Sequence, residues 1–325
     1  MPRKAFLFRT DVHLADKGPV SWKGDYPAEI WSNLEQIGQL AKRHEVSAVL
    51  DGGDFFHIKT ANKTSHASVI RTAALHKGYP CPTFCVEGNH DMPYNNLELI
   101  ERQPLGVLYG CGVFEHLRDQ VFQDGDLRVR VVGVPYNPKR TLDQLRAVQK
   151  QPGDDFLVCI VHALATENPP SKLDDFFGET VFRYSDLVTP DGPDVWAFGH
   201  WHRDQGVMQV GGKWFVNQGA VSRGALTHEN IMRVPQVALI EFEATGPLIQ
   251  TIPLIVAPAS DVFDMERKER ADAELNKIED FILLLHNDSS FDSEQSAEDN
   301  IRALQDVASD VRDLALEYLA NAREG

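Results

Sequence analysis

Thr83-Phe-Cys-Val-Glu-Gly88-Asn89-His90-Asp91 begins as an apolar strand and ends in a polar turn. The turn carries an amide, an imidazole and a carboxylate in succession. Four other segments repeat the pattern. Lys4–Arg9 runs into Thr10-Asp11-Val12-His13, and Ser47–Leu50 into Asp51-Gly52-Gly53-Asp54. Phe156–Val161 stops at His162, and Val195–Phe198 stops at Gly199-His200-Trp201-His202. Layered α/β proteins gather their chemistry at the C-terminal ends of strands. A lone histidine at such a place is most often a hydrogen-bonded side chain, and Gly and Asn mark turns anyway. Five such strings in order point to one shared site.

The segments between them have helical spacing. Pro27 to His44 sets Ile30, Leu34, Ile37 and Ala41 on one face, with Pro27 near the start. Thr64–Lys77 reads as a second helix, closed by Gly78 and Pro80, and Thr141–Lys150 as a third. Leu127–Val134 reads as a strand. Val207–Val210 and Trp214–Val216 flank Gly211-Gly212, a hairpin signature. Gln236–Phe242 and Leu248–Ile255 are further strands around Gly246-Pro247. Early strands separated by helices, then a run of strands, imply a mixed sheet layered with helices.

The collected side chains are Asp11, His13, Asp54, Asn89, His90, His162, His200 and His202. All are oxygen or imidazole donors, and no cysteine joins them. Such a set suits divalent Mn, Fe or Zn, and not a thiolate structural zinc site. On an extended segment, residues i and i+2 point to one side, so Asp11/His13 and His200/His202 are each expected to grip a metal pair.

The 325 residues hold 42% hydrophobic and 25% charged side chains, enough for two domains or one large domain with an appendage. No apolar run approaches a membrane span and the first residues carry no secretory stretch, so a cytoplasmic protein is expected. The four cysteines show no metal-ligand spacing and read as reduced thiols. Net charge is −16, and residues 261–325 alone hold 18 acids against 7 bases. This break in composition marks a boundary near residue 260. An acidic tail is a poor sequence-independent DNA clamp, because phosphate contacts need Lys and Arg.

Asp11-Val-His13, Gly53-Asp54, Gly88-Asn89-His90-Asp91, Val161-His162 and Gly199-His200-Trp-His202 resemble the ordered motifs of the calcineurin-like metallophosphoesterases. The resemblance covers residues 4 to 225. It implies a four-layer αββα sandwich with two metals at its strand ends. Carried over by position, Asp11, His13, Asp54 and His202 hold the first metal. Asp54, Asn89, His162 and His200 hold the second, with Asp54 bridging. Two such metals share and activate a hydroxide and bind both the attacking and the leaving oxygen at phosphorus. By the same resemblance, His90 is the general acid for the departing oxygen, with Asp91 orienting its ring. A turn cap is the competing reading of Asp91.

Within that superfamily, Gly53-Asp54-Phe55-Phe56-His57 and Asp11-Val-His13-Leu14 are similar to motifs of the SbcD/Mre-eleven nucleases of DNA double-strand-break repair. Arg9-Thr10 and Ala15 depart from that family's pattern. His57 matches its additional histidine near the substrate strand. Arg223, Arg203, Lys59 and Lys63 are candidates for DNA phosphate contacts. The resemblance implies a manganese-dependent DNA nuclease subunit that acts as a homodimer with an SbcC/Rad-fifty-type ATPase.

The chain is thereby divided into a nuclease core at 1–235, the last core strands or a short cap at 236–260, and an acidic helical hairpin at 261–325 for the ATPase. In the hairpin, Leu275, Ile278, Ile282 and Leu285 form one apolar stripe, and Ile301, Leu304, Ala308, Val311, Ala315 and Tyr318 another. The alternatives are a phosphatase or cyclic-nucleotide phosphodiesterase of the same superfamily, or a non-catalytic scaffold for an ATPase.

Overall fold

A computed structural model describes residues 3–19, 21–57, 64–169, 179–266 and 269–270. The chain divides into a unit of Met1–Phe263 and a second of Asp264–Gly325. Most of the second unit, including the expected helical hairpin, lies outside the described residues.

The first unit opens with β1 (Lys4–Arg9), α1 (Tyr26–Arg43), β2 (Ala48–Asp51), α2 (His66–Lys77), β3 (Thr83–Cys85), α3 (Pro104–Gly110) and β4 (Phe114–His116). Then come β5 (Asp119–Asp124), β6 (Leu127–Val134), α4 (Leu142–Arg146), β7 (Phe156–His162), β8 (Ala165–Thr166), β9 (Phe182–Arg183) and α5 (Tyr184–Leu187). The last strands are β10 (Val195–Gly199), β11 (Gly206–Val210), β12 (Lys213–Asn217), β13 (Gln236–Glu243) and β14 (Gly246–Pro253). One six-stranded sheet has the order β14-β13-β1-β2-β3-β4, and the other β11-β12-β10-β7-β6-β5.

Alternation along each strand builds the layers. In β1, Phe6 and Phe8 face the second sheet and join Val129, Val131, Val158, Ile160 and Val195 in a core between the sheets. Ala5 and Leu7 point the other way, into a core with Ile30, Leu34 and Ile37 of α1. The outer face of the second sheet buries Cys159, Val161, Trp196 and Phe198 with Leu145 and Leu187 of the short helices. Both sheets are covered on both faces, which explains the near-continuous apolar runs of β1, β7 and β10. The result is mixed α/β with two central sheets, the layering of a metallophosphoesterase sandwich. Asp25 caps α1 by accepting from Ala28 N at 3.1 Å, and Ser65 caps α2 by accepting from Ser68 N at 3.3 Å.

Strands β1, β2, β3 and β4 run parallel, as do β6, β7, β10 and β12. Parallel pairing brings their C-terminal loops to one rim. Residues 236–253 complete the first sheet, with β13 antiparallel to β1.

The helix expected over Thr141–Lys150 stops at Arg146. It has a capping box between Thr141 and Gln144, but Leu145 alone is buried, so no second apolar turn extends it. Strand β5 reads Asp-Gln-Val-Phe-Gln-Asp; it is a largely exposed edge strand with little apolar signal. Among the described residues, no helix is long and apolar enough to cross a membrane.

Candidate metal centre

The polar residues at the rim converge into two groups that share one side chain. Asp11, His13, Asp54 and His202 place one donor atom each within 4.8 Å of one another, and so do Asp54, His162 and His200. In the first group, His13 Nε2 lies 3.7 Å from Asp54 Oδ2 and 3.8 Å from Asp11 Oδ1. His202 Nε2 lies 3.5 Å from Asp11 Oδ1. In the second, His162 Nε2 lies 3.4 Å from Asp54 Oδ2 and 3.2 Å from Asn89 Oδ1. His162 Nδ1 is 2.6 Å from the Gly52 carbonyl, which fixes the tautomer and leaves Nε2 facing the carboxylate.

This donor set fits two divalent cations. Asp54 is buried, and its Oδ2 is a buried oxygen without a hydrogen-bond partner among the described residues. A buried, unsatisfied carboxylate oxygen is costly unless a cation meets it. Burial opposes ionisation of Asp11, yet the neighbouring imidazoles of His13 and His202 hold its carboxyl well below the usual range. Asp54 is lowered too, because the neighbouring imidazoles, His162 foremost, outweigh its burial. Burial works against a charged His162, but Asp54 and Asp11 push its imidazole up to about 9. Metal binding at such a histidine displaces a proton.

Backbone strain concentrates at the same place. Asp11 (φ 53°), His13 (φ 46°), Asp54 (φ 54°) and His200 (φ 89°) lie in the left-handed region. At these residues the segments are therefore not extended. Asp11 and His13 join one group, and His200 and His202 turn to different groups. The loops also pack backbone to backbone. A Cβ at Gly88 would meet the Asp54 backbone N at 2.5 Å, and one at Gly53 (φ +97°) would meet the Gly88 N at 2.8 Å.

The candidates for chemistry sort themselves around this centre. His90 is half-buried; its backbone N donates to Asp54 Oδ1 at 2.7 Å, and its ring lines the clefts beside both groups. His57 stacks on His90, centroids 5.1 Å apart and planes 20° apart, with its Nδ1 3.1 Å from His13 Nδ1. Asp91 is buried; its Oδ2 accepts from the backbone N–H groups of Asp54 (2.8 Å) and Gly88 (3.0 Å), and its Oδ1 from Phe56 N (3.3 Å). Those bonds make Asp91 a buried clamp between two ligand loops, in keeping with the turn-cap reading.

Of the expected DNA contacts, Arg223 is placed away from solvent. It is buried, and its guanidinium binds Glu29 at 3.1 and 2.6 Å and the Ala257 carbonyl at 2.9 Å. Truncating one partner of a buried pair strands the other charge. Arg223→Ala should therefore lower stability by about 3–5 kcal/mol in denaturant unfolding. A loss under about 1 kcal/mol would contradict this reading, being the worth of an exposed pair. Arg203 is exposed, lines a cleft with Asp54, His90 and His200, and approaches Glu229 at 4.0 Å. Lys59 and Lys63 lie outside the described residues.

Two residues at the centre escape the sequence reading. Tyr136 follows β6, a parallel strand whose end obeys the same rule as the others. Its hydroxyl donates to Glu179 Oε1 at 2.8 Å, and Glu179 Oε2 lies 3.1 Å from His200 Nε2. Glu179 sits in a loop that no spacing distinguishes. A cleft of about 660 Å³ opens beside the first group, walled by His13, His57, His90 and His202 together with Lys17, Tyr26 and Ala225.

Paired sheets with two His/Asp groups at one rim, sharing a carboxylate, define a metal-dependent phosphoester hydrolase. The model of the calcineurin-like phosphoesterases matches residues 5–204, and the chain belongs to that family. The DNA double-strand break repair protein Mre11 of Archaeoglobus fulgidus is 25% identical over 238 residues, covering 67% of this chain and 50% of the relative. The chain thus spans half the length of that relative. Among solved structures, purple acid phosphatase PPD1 from yellow lupin (Lupinus luteus) is similar at 13% identity and a TM-score of 0.47, covering 81% of this chain and 53% of the other. Sulfate thiohydrolase SoxB of Thermus thermophilus is similar at 15% identity and a TM-score of 0.43, covering 79% and 58%.

Proposed function

We propose that the chain is the nuclease subunit of an SbcD-like, manganese-dependent enzyme that hydrolyses DNA phosphodiester bonds at DNA ends in repair or recombination. The observation that carries the phosphodiester chemistry is Asp54, one buried carboxylate common to both donor groups. Asp11, His13, Asp54 and His202 are assigned to one cation, and Asp54, Asn89, His162 and His200 to the other. Bound cations supply Lewis acidity at phosphorus and an activated water. The protein's own groups do the rest. His162 is held in one tautomer by Gly52, and Asp91 ties the Asp54 and Gly88 loops together. His90 gives a proton to the departing alkoxide. His57, stacked on it, limits the ring's rotation.

The choice of DNA rests on Gly53-Asp54-Phe55-Phe56-His57 and on the likeness to the archaeal repair protein. The open cleft beside His90 leaves room for the strand, with Arg203 at a neighbouring mouth. A homodimer, and docking of an SbcC/Rad-fifty-type ATPase on residues 261–325, belong to the same proposal.

The test is cleavage by the purified chain with Mn on end-labelled duplex DNA, compared with p-nitrophenyl phosphomonoesters and cyclic nucleotides. Nucleotide release from the duplex supports the nuclease. Turnover of the small esters alone assigns a phosphatase or cyclic-nucleotide phosphodiesterase instead. Co-purification with a coiled-coil ATPase that survives deletion of 261–325 removes the docking role of that segment.

A further inference from the structure

We propose that Glu179 and Tyr136 are positioning residues for the second metal. In this arrangement His200 Nε2–H donates to Glu179, His200 Nδ1 turns to the cation, and the Tyr136 hydroxyl fixes the carboxylate. The inference rests on the two-metal reading of the site.

An imidazole offers a metal one nitrogen, and the bond made by the other nitrogen chooses which. His200 belongs to the group with Asp54 and His162, and its Nε2 lies 3.1 Å from Glu179 Oε2. Glu179 is not in that donor group, so its carboxylate reaches His200 without closing on Asp54 and His162. The Glu179 side chain is 22% exposed and that of His200 12%, so water screens the contact only in part.

Tyr136 completes the line. Its ring packs against both second-group histidines, with centroids 5.2 Å from His200 and 6.0 Å from His162. Its hydroxyl holds Glu179 Oε1, and its backbone N donates to the Glu87 carbonyl at 2.8 Å, next to the Gly88-Asn89 turn. One residue thus ties the turn that bears Asn89 to the carboxylate that orients His200.

The two second-group histidines are held by different acceptors. His162 faces a neutral carbonyl, and His200 a charged carboxylate. A carboxylate partner raises the basicity of a ligating imidazole, and removing one costs about 10–100-fold in metal affinity. The effect should fall on the second metal, because among the described residues neither Glu179 nor Tyr136 bonds to a first-group histidine.

The experiment is a Mn titration of the full chain by calorimetry, with electron paramagnetic resonance counting bound ions. Wild type, Glu179→Ala, Glu179→Gln and Tyr136→Phe are compared. Wild type should bind two ions. Glu179→Ala should weaken the second by about 10–100-fold and leave the first within about 2-fold. Glu179→Gln keeps an acceptor that orients the ring but lacks the charge and should recover part of the loss, while Tyr136→Phe should show a smaller loss than Glu179→Ala at the same site. Unchanged second-site affinity in Glu179→Ala overturns the proposal, as does equal weakening at both sites. Glu179→Gln as weak as Glu179→Ala overturns it too, because a direct ligand would behave so. A wild type that binds fewer than two ions refutes the two-metal reading and this inference together. Two bound ions without DNA cleavage refute only the nuclease.

Discussion

Asp54→Ala should abolish paired metal binding and lower phosphoesterase turnover by at least about 10³-fold. Asp54 is the one donor common to both groups, and its Oδ2 faces His13 on one side and His162 on the other. Removing a single preorganised charge-stabilising group from an active site already costs about 10²–10³. Here one truncation removes a ligand from each cation. Asp54→Asn is the sharper variant. It keeps the side-chain shape and an oxygen to accept from His90 N, but it discards the negative charge between the groups. Metal content by elemental analysis, read beside turnover on the best substrate, checks both. Two bound ions in Asp54→Asn, with turnover within about 10-fold of wild type, would refute the bridging assignment, because general positioning alone would then explain the site.

His90→Ala should reduce turnover by about 10²–10⁴-fold, the usual worth of a general acid, and leave Mn stoichiometry at the wild-type value. The separation is clean because the backbone of His90, through its N–H, is what holds Asp54 Oδ1. Truncating the ring leaves that bond in place. A second readout isolates the proton. An alkoxide leaving group needs protonation, and p-nitrophenolate needs much less. The defect on a p-nitrophenyl phosphodiester should therefore be far smaller than the defect on DNA. Equal losses on both substrates would show that His90 acts by packing or by binding. His90 also touches His13, with ring centroids 4.8 Å apart, so the metal count is the necessary control.

The site was legible in sequence to the extent that chemistry sits at strand ends. Asp11, His13, Asp54, Asn89, His162, His200 and His202 each follow an apolar run, and parallel pairing gathers those runs onto one rim. The two-sheet layering was half legible. Alternation in β1 and β7 is hidden because both faces of each sheet are buried. What failed was contact between side chains distant in sequence. Arg223 looked like a phosphate contact because its partner, Glu29, lies 194 residues away. Asp91 stands beside His90 in sequence, and its bonds to the backbone N–H groups of Asp54, Phe56 and Gly88 appear only in the fold. Glu179 carries no local signal, although Tyr136 could have been found by applying the strand-end rule to β6.

At Asp11, His13, Asp54 and His200, the torsion angles favour glycine while the chemistry demands a donor, and Asp and His are among the few donor side chains that tolerate them. Each such compromise costs on the order of 1–3 kcal/mol. Anyone hardening this protein against heat would find the easiest apparent gains at those four places, and each gain would forfeit a grip on the cations. Robustness has to be sought elsewhere in the molecule, since activity and torsional comfort compete for the same positions.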